Sequence, residues 1–291
     1  MTSECLQVSP PKPLQTKINI EELVKTNIPM MPTSIGRITS LLNNVNVSSR
    51  ELTEAIKYDP MLTARLLRLA NSPIYSLRKN VTALQQAIEV VGLNSIYEIL
   101  MLGLAADSFS KEIRDSQEGL MIWEHSLAVA LLSRELSLIL GLRGTEEAFI
   151  CGLLHDIGKI LLLRNDFANS SMSFQKNNET EMLHTESALF GYNHTQIGSL
   201  VASRWGLPEA VCYTILNHHN PSQCEHFLAM VHLVCAADMI ANANGCGLRE
   251  VDSANLAETE SAILLKLSEE QMATAWERTA ENLSEIKTVF T

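Results

Sequence analysis

Apolar positions recur at helical spacing along almost the whole chain. After Pro32, for example, Ile35, Ile38, Leu41 and Leu42 lie three or four residues apart, as one face of an amphipathic helix requires. Alternating apolar and polar runs bounded by hairpin turns, which are typical of strands, are scarce. The pattern therefore predicts an all-α protein, with helices over 20–25, 33–43, 48–57, 61–70, 82–91, 95–109, 120–140, 145–163, 179–205 (where Gly191 offers a break), 208–219, 227–244, 255–266 and 268–289.

Several of these helices carry start signals at their first residues. Ser48 followed by Glu51 is a candidate capping box, in which each side chain bonds the other residue's backbone amide. Asp59 before Pro60 combines an N-cap with a proline at the first helical position. Thr145 is the predicted N-cap of the helix that begins with two glutamates, because acids are favoured at the positive end of a helix.

The polarity of the chain divides it into three parts. Residues 1–19 contain three prolines and little periodicity, so we expect a disordered segment there. A polar gap over 110–119 separates two groups of helices. We therefore predict an N-terminal helical lobe over 20–115 and a second helical lobe over 116–291.

Composition and charge narrow the function classes. Apolar residues make up 46% of the 291 residues, which is enough for a large core, but no run is long enough to cross a membrane. The formal net charge of −11 would repel a phosphate backbone, so direct nucleic-acid binding is not expected, although Arg65, Arg68, Arg78 and Lys79 could form a local basic patch. The chain does not begin like a signal peptide, and its six cysteines lack metal-knuckle spacing. We therefore expect a cytoplasmic protein with reduced thiols.

The adjacent pair His155 and Asp156 stands inside the apolar run FICGLLHDIGKILL. A charged side chain is rarely buried without a partner, and a metal ion would satisfy the imidazole and the carboxylate together. His125 and Asp238, on other apolar helices, are candidates to complete the ligand set. Such mixed N and O ligands suit Fe, Mn, Zn or Ni better than Ca or Mg. In the alternative interpretation, Asp156 pairs with Lys159 at i, i+3, which leaves His155 unexplained.

A second group of histidines lies further along the chain. His194, His218 and His219, with Asp156 as a bridging carboxylate, could hold a second ion. Two ions about 3.5–4 Å apart can clamp a phosphoester. Lys159, one turn after His155, could then contact a phosphate oxygen.

These residues resemble known families. The pattern of His125, His155, Asp156 and Asp238 is that of the HD phosphohydrolase superfamily, and the added histidines are similar to its HD-GYP branch, which cleaves cyclic di-GMP. Over residues 20–245 the chain resembles HDOD, the branch of bacterial signalling regulators, through IPMMPTSIGRITSLL, DPMLTARLLRLANSPIY, LQQAIEVVGLNSI, CGLLHDIGKILL and FGYNHTQIGSLVASRWGLPEAVCYTILNHHNP. The resemblance implies a bundle like an HD domain with an N-terminal HDOD lobe. All seven ligand positions are kept, and the missing GYP segment after the double histidine argues against cyclic di-GMP as a substrate.

Other conspicuous residues have plainer interpretations. His184 is expected on the surface, and His226 and His232 are not expected to be ligands. Glu186 is predicted to be a solvated helix acid, with the alternative that it supports the ligands or is an additional ligand, and Cys151 is predicted to be a packing residue. Asn71 is expected to do no more than end a helix.

Two hypotheses follow. The first is an HDOD-type signal-transduction regulator with a dinuclear centre of a divalent transition metal, with Fe or Mn favoured over Zn or Ni, which binds a signalling protein through its N-terminal lobe. The alternative is a metal-dependent phosphohydrolase that acts on a nucleotide or another phosphoester, with Asp156 and Lys159 as its catalytic residues.

Overall fold

The structure is a computed structural model, which describes residues 31, 33–42, 46–71, 80–164, 179–247, 249, 251 and 253–290. The predicted disordered segment over 1–19, the predicted helix over 20–25, and Arg78 and Lys79 of the predicted basic patch lie outside these residues.

The predicted all-α class is confirmed, because the described residues form helices and turns with no strand among them. Two short 3-10 helices cover Pro221–Gln223 and Ser253–Glu258. The α-helices of the described chain are α1 (Thr33–Leu42), α2 (Ser49–Ile56), α3 (Pro60–Ala70), α4 (Leu84–Val91), α5 (Leu93–Ser108), α6 (Ser110–Asp115), α7 (Gln117–Ile139), α8 (Thr145–Leu154), α9 (Ile157–Arg164), α10 (Glu179–Phe190), α11 (His194–Arg204), α12 (Glu209–Asn217), α13 (Leu228–Ala243), α14 (Glu260–Leu265) and α15 (Glu269–Phe290).

Two of the three helix starts predicted from capping signals are confirmed. Ser48 and Glu51 form both bonds of the capping box, and the Asp59 carboxylate accepts from the backbone amide of Leu62. The Thr145 prediction is wrong: Gly144, with φ of 84°, is the N-cap, and Thr145 is the first helical residue. Glycine adopts a positive φ at little cost, so it turns the chain into the helix here.

Two further predictions about helix boundaries are wrong. The predicted helix over 145–163 is two helices, α8 and α9, separated by a turn at His155 and Asp156. The polar gap over 110–119 is mostly helical, because α6 buries Ile113 and α7 begins at Gln117. The predicted break at Gly191 does occur, between α10 and α11.

The 23-residue helix α7 is the centre of the packing. Its buried residues lie on all sides, and helices α6, α8, α13 and α15 pack against it. A helix that is apolar all round has to be covered all round, which explains its place in the core. Of the helices that carry candidate ligands, α8 and α13 are thereby held against α7, while α11 and α12 pack on each other.

The N-terminal helices pack on one another and reach the rest of the molecule through α5, which contacts α8, and through α3 and α5, which contact α15. A bidentate ion pair between Arg65 of α3 and Asp107 of α5 joins two of them. Buried apolar residues form one continuous cluster from Ile35 to Leu283. The division into lobes at 115/116 stays a prediction.

Asn71 does more than end α3. Its side chain donates to the carbonyl of Val81 and accepts from the amide of Val81, at 2.8 and 2.7 Å, so it clamps the two ends of the segment that separates α3 from α4.

No individual helix in the described ranges combines the length and the hydropathy needed to cross a bilayer. One pair of consecutive described helices reaches that length and hydropathy together, but the chain bends by 108° between the two helices. The described cysteines are all free thiols.

Candidate metal centre

The seven predicted ligands lie together in the fold, where five parts of the chain converge. His125 comes from α7, His155 and Asp156 from the turn between α8 and α9, and His194 from the first residue of α11. His218 and His219 follow the last residue of α12, and Asp238 lies in α13. The side chains of all seven are at most 4% exposed to solvent.

Two of the ligand-bearing helices end in the same way. The Nδ1 atom of His155, directly after α8, lies 2.8 Å from the carbonyl of Gly152, and His218, directly after α12, makes the same bond to Ile215. In each case the imidazole binds the carbonyl that the backbone amide four residues later would use in a continuing helix. Both helices therefore present their partially negative C-terminal ends to the centre, where a cation is favoured.

A close approach of two helices brings His194 to the His155–Asp156 turn. Gly158 of α9 lies against the backbone of His194, and a Cβ atom at position 158 would overlap the carbonyl oxygen of His194. Only glycine permits this separation, so Gly158 sets the distance between Asp156 and His194.

The ring nitrogens of four histidines have fixed roles. The Nδ1 atom of each lies 2.8 Å from an oxygen that can only accept a hydrogen bond: the carbonyl of Cys246 for His125, of Gly152 for His155 and of Ile215 for His218, and the Glu186 carboxylate for His194. Each Nδ1 must therefore carry a proton, so a metal ion would be bound through the Nε2 atom, which each ring turns toward Asp156. Metal-binding histidines are oriented in this way.

Asp156 lies between the two groups of imidazoles. Its Oδ2 faces His155 and His125, at 3.4 and 3.9 Å from their Nε2 atoms. Its Oδ1 faces His194 and His218, at 3.3 and 3.8 Å. Ligands about 2.1 Å from a common ion are themselves about 3–3.5 Å apart, so the closer of these separations match ligand sets while the longer ones require a small adjustment.

Three buried atoms of this cluster have no hydrogen-bond partner: His155 Nε2, Asp156 Oδ1 and His218 Nε2. Leaving each of them unpaired costs about 1–3 kcal/mol. In addition, His125 Nε2 lies 2.9 Å from Asp238 Oδ1, which is close enough for the two atoms to share an ion. A cation satisfies all of these acceptors at once, so the residues fit a bound metal ion. Their N and O donors fit a divalent transition metal.

Two sets of side chains within this cluster have ligand atoms close enough to share an ion. One is Asp156, His194, His218 and His219, and the other is His125, His155 and Asp156. Asp156 belongs to both, as the sequence pattern predicts. Asp238 contacts the second set through His125 and lies 3.9 Å from His155.

Lys159 is buried beside the centre. Its ammonium lies 2.6 Å from Asp156 Oδ2, so the pairing weighed as an alternative to metal binding is present together with the histidine cluster. Burial acts to raise the pKa of Asp156, but Lys159 and the neighbouring imidazoles hold that pKa well below its ordinary value. Asp156 is therefore a carboxylate at neutral pH.

Three polar residues around the centre were missed or misjudged from the sequence. Glu186 is fully buried rather than solvated, and it accepts from both the backbone amide and Nδ1 of His194. Glu179 lies 3.3 Å from Nδ1 of His219, and Arg249 binds both Glu179 and Asp238. Helical spacing could have flagged Glu186, which shares a face with the buried Met182 and Phe190. Glu179 and Arg249 carry no comparable signal.

The plainer predictions mostly hold. His184 and His226 are exposed, and His232 is buried with its Nδ1 3.0 Å from the hydroxyl of Ser261, outside the centre. Cys151 is a buried packing residue, and burial raises the pKa of its thiol to about 12.

Comparison with curated proteins finds distant relatives. An uncharacterised protein from Treponema pallidum is 26% identical over 219 residues, which are 73% of this chain and 42% of that protein. A ribonuclease Y from Thermus thermophilus is 31% identical over 161 residues, or 55% of this chain and 23% of the enzyme. The chain thus spans less than half the length of these relatives.

Comparison with solved structures finds the same fold. An HDOD domain protein of unknown function from Geobacter sulfurreducens superposes with a TM-score of 0.71 at 25% identity, over 93% of this chain and 94% of that one. The HDOD domain family model matches residues 28–221, close to the extent of the resemblance read from the sequence. Because this match covers well over half of the 291 residues, the chain belongs to the HDOD domain family.

Proposed function

We propose that this chain is an HDOD-type regulatory protein with a dinuclear centre of divalent transition-metal ions. His125, His155, Asp238 and Asp156 would hold one ion, and His194, His218, His219 and Asp156 the other. The observation that carries the proposal is the set of unpaired, fully buried atoms on His155, Asp156 and His218, which face one another in the core. Iron or manganese suits this mixed donor set, and zinc or nickel is the alternative.

The arrangement favours a structural or sensing role for the metal. The ligands come from five parts of the chain, so bound ions would add links between helices that are otherwise joined by packing and by a few polar contacts. Metal that binds only the folded state adds its binding free energy to stability. Occupancy or oxidation state would then change how firmly these helices are held, which is a property that a signalling partner could detect.

A groove beside the N-terminal helices supports binding of a protein partner. It has a volume of about 430 Å³ and lies between α3, α5, α6 and α7. Arg65, Arg68 and Arg114 contribute to its lining together with the exposed Met61 and Leu120. Arginine beside exposed apolar side chains is common at protein interfaces. We propose the lobe over 20–115 as the partner-binding part of the chain.

The alternative is a metal-dependent phosphohydrolase that acts on a nucleotide or another phosphoester, and two observations favour it. All seven candidate ligands converge, and the relatives include proteins named ribonuclease Y. Two bound metal ions would supply Lewis acidity toward a phosphoester. Asp156 would orient both groups of histidines, but Lys159, which is 3% exposed and bonded to Asp156, would have to leave that carboxylate to reach a phosphate.

Elemental analysis of the purified protein tests the dinuclear centre. We expect about two transition-metal ions per chain in the wild type, none in Asp156→Ala and one in His194→Ala. His184→Ala is the matched control, because it removes an exposed histidine from α10 and should keep both ions. Wild-type protein with no bound metal, purified without chelator and after supply of iron, manganese or zinc, would exclude the centre.

Thermal unfolding and a panel of nucleotides and phosphodiesters separate the two roles. A regulator with a structural centre should lose several degrees of melting temperature on chelation, and it should hydrolyse the panel no faster than Asp156→Ala does. Hydrolysis by the wild type that is lost in Asp156→Ala and kept in His184→Ala would establish the phosphohydrolase instead.

A further inference from the structure

An arginine closes one side of the candidate metal centre. Arg249 follows α13, and its side chain is 7% exposed. Its Nη2 donates to Asp238 Oδ2 at 2.6 Å, and its Nη1 donates to the carboxylate of Glu179, the first residue of α10. One guanidinium thus joins the carboxylates of two separate helices, a pairing that its planar fork of donors suits.

The position of Arg249 is fixed by a second set of bonds. Its backbone amide donates to Oδ1 of Asn242, and the Nδ2 of Asn242 donates to Oδ1 of Asp238 at 2.8 Å. Asp238, Asn242 and Arg249 therefore form a closed ring of hydrogen bonds. Within this ring, the guanidinium of Arg249 donates to Oδ2 of Asp238, while Oδ1 of Asp238 faces His125.

The same place has the residues of a metal site. Glu179, His219 and Asp238 each offer a ligand atom, and these atoms lie within 4.8 Å of one another. His219 Nδ1 is 3.3 Å from Glu179 Oε2, and its Nε2 is 3.1 Å from Nε2 of His194. Two carboxylates and an imidazole at such separations are a usual ligand set for a divalent transition metal.

Arg249 supplies the positive charge that this set requires. Burial alone would lower the pKa of Arg249, but Asp238 and Glu179 outweigh that effect and raise it further. The guanidinium is therefore a permanent cation. A divalent ion that approached Glu179 and Asp238 would meet its repulsion and would have to break both ion pairs.

We propose that Arg249 is a tethered cation that takes the place of a third metal ion and so limits the centre to two ions. The proposal rests on the proposed dinuclear function. Arg249 would act as a positioning residue, because it would keep one oxygen of Asp238 directed at His125 and withhold the other from metal.

Metal stoichiometry of variants that remove the cation tests this proposal. Arg249→Met removes the charge with similar bulk, and Arg249→Gln removes it but keeps a hydrogen-bond donor. After saturation with manganese or zinc and removal of loosely bound ions, we expect each of these variants that folds to hold three metal ions per chain instead of two. Arg249→Met/Glu179→Gln should return to two, because the third ligand set is then incomplete, and Arg249→Lys should stay at two.

The outcomes separate this inference from the function on which it rests. Fewer than two ions in the wild type would refute the dinuclear centre itself. Two ions in the wild type and still two in folded Arg249→Met or Arg249→Gln would overturn the role of Arg249 alone. Glu179→Gln, which retains the arginine, gives an independent measurement: two ions are expected, and a fall to one would overturn the proposal because Glu179 would then be a ligand in the wild type.

Discussion

The ion pair between Asp156 and Lys159 allows a quantitative test of how strongly burial from solvent affects the charges at the centre. The ammonium and the carboxylate are 2.6 Å apart, with side chains 4% and 1% exposed. Removal of one partner from a buried pair leaves an uncompensated charge, which typically costs about 3–5 kcal/mol. We therefore expect Asp156→Asn, an almost isosteric change, to lower the free energy of unfolding by about that amount in metal-free protein. Lys159→Met should have an effect of similar size.

The double variant separates this charge effect from simple loss of packing. Asp156→Asn/Lys159→Met leaves no isolated charge in the pair. The free energy of unfolding lost in the double variant should therefore be smaller than the sum of the losses in the two single variants, with a coupling energy of about 2 kcal/mol or more. Urea unfolding at pH 7 with chelator present, followed by far-UV circular dichroism, gives the four free energies. Chelator is needed because metal binding would add its own contribution to the wild type.

The chain contains a matched control in Lys57 and Glu54. This pair has the same i, i+3 spacing and the same 2.6 Å distance, but its side chains are 38% and 61% exposed. Solvent screens such a pair, so Glu54→Gln should leave the unfolding midpoint unchanged within error. Additive effects at positions 156 and 159, or an effect of Asp156→Asn as small as that of Glu54→Gln, would refute the conclusion that burial makes the inner pair strong.

Three further predictions concern Glu98, Gly158 and Asn71. Burial raises the pKa of Glu98 to about 7 from its ordinary 4.5, so the stability that this group contributes is lost as pH rises from about 4.5 to 7. In chemical denaturation, Glu98→Gln should therefore stabilise the protein by about 1–3 kcal/mol at pH 8 and have little effect at pH 4. Gly158→Ala should lower stability by about 1–3 kcal/mol and reduce metal content, because its Cβ would push His194 away from Asp156, whereas normal metal content would contradict the assigned close approach. Asn71→Ala should cost about 1–3 kcal/mol, because it leaves the amide and carbonyl of the buried Val81 unpaired, and a melting temperature equal to that of the wild type would contradict the clamp.

The sequence was informative where a local signal has one physical explanation. A histidine and an aspartate side by side in an apolar run need a partner that water cannot provide, and the pattern HD with distant histidines therefore predicts the cluster around Asp156. The capping box at Ser48 and the break at Gly191 are likewise decided by neighbouring residues.

One failure has a local cause and the others come from tertiary contacts. The run over 145–163 has the pattern of one helix because it is largely apolar, but the imidazole of His155 binds a backbone carbonyl of the last turn of α8 and the chain turns at His155 and Asp156. The spacing of Glu186 from Met182 and Phe190 places it on a buried helix face, but only the fold shows that its partner is His194. Glu179 and Arg249 are 70 residues apart and meet only after α10 and α13 have packed, so no pattern in one segment indicates their pairing.

The spread of the ligands along the chain has a consequence for synthesis in the cell. A ribosome releases His125 on α7 well before Asp238 on α13, and domains tend to fold as the chain emerges. The carbonyl of Cys246, which accepts from His125, is synthesised later still, so the hydrogen bond that orients His125 forms only after the chain beyond α13 has emerged. A metal ion that needs the full set of ligands would therefore bind late, after the newly made chain has folded.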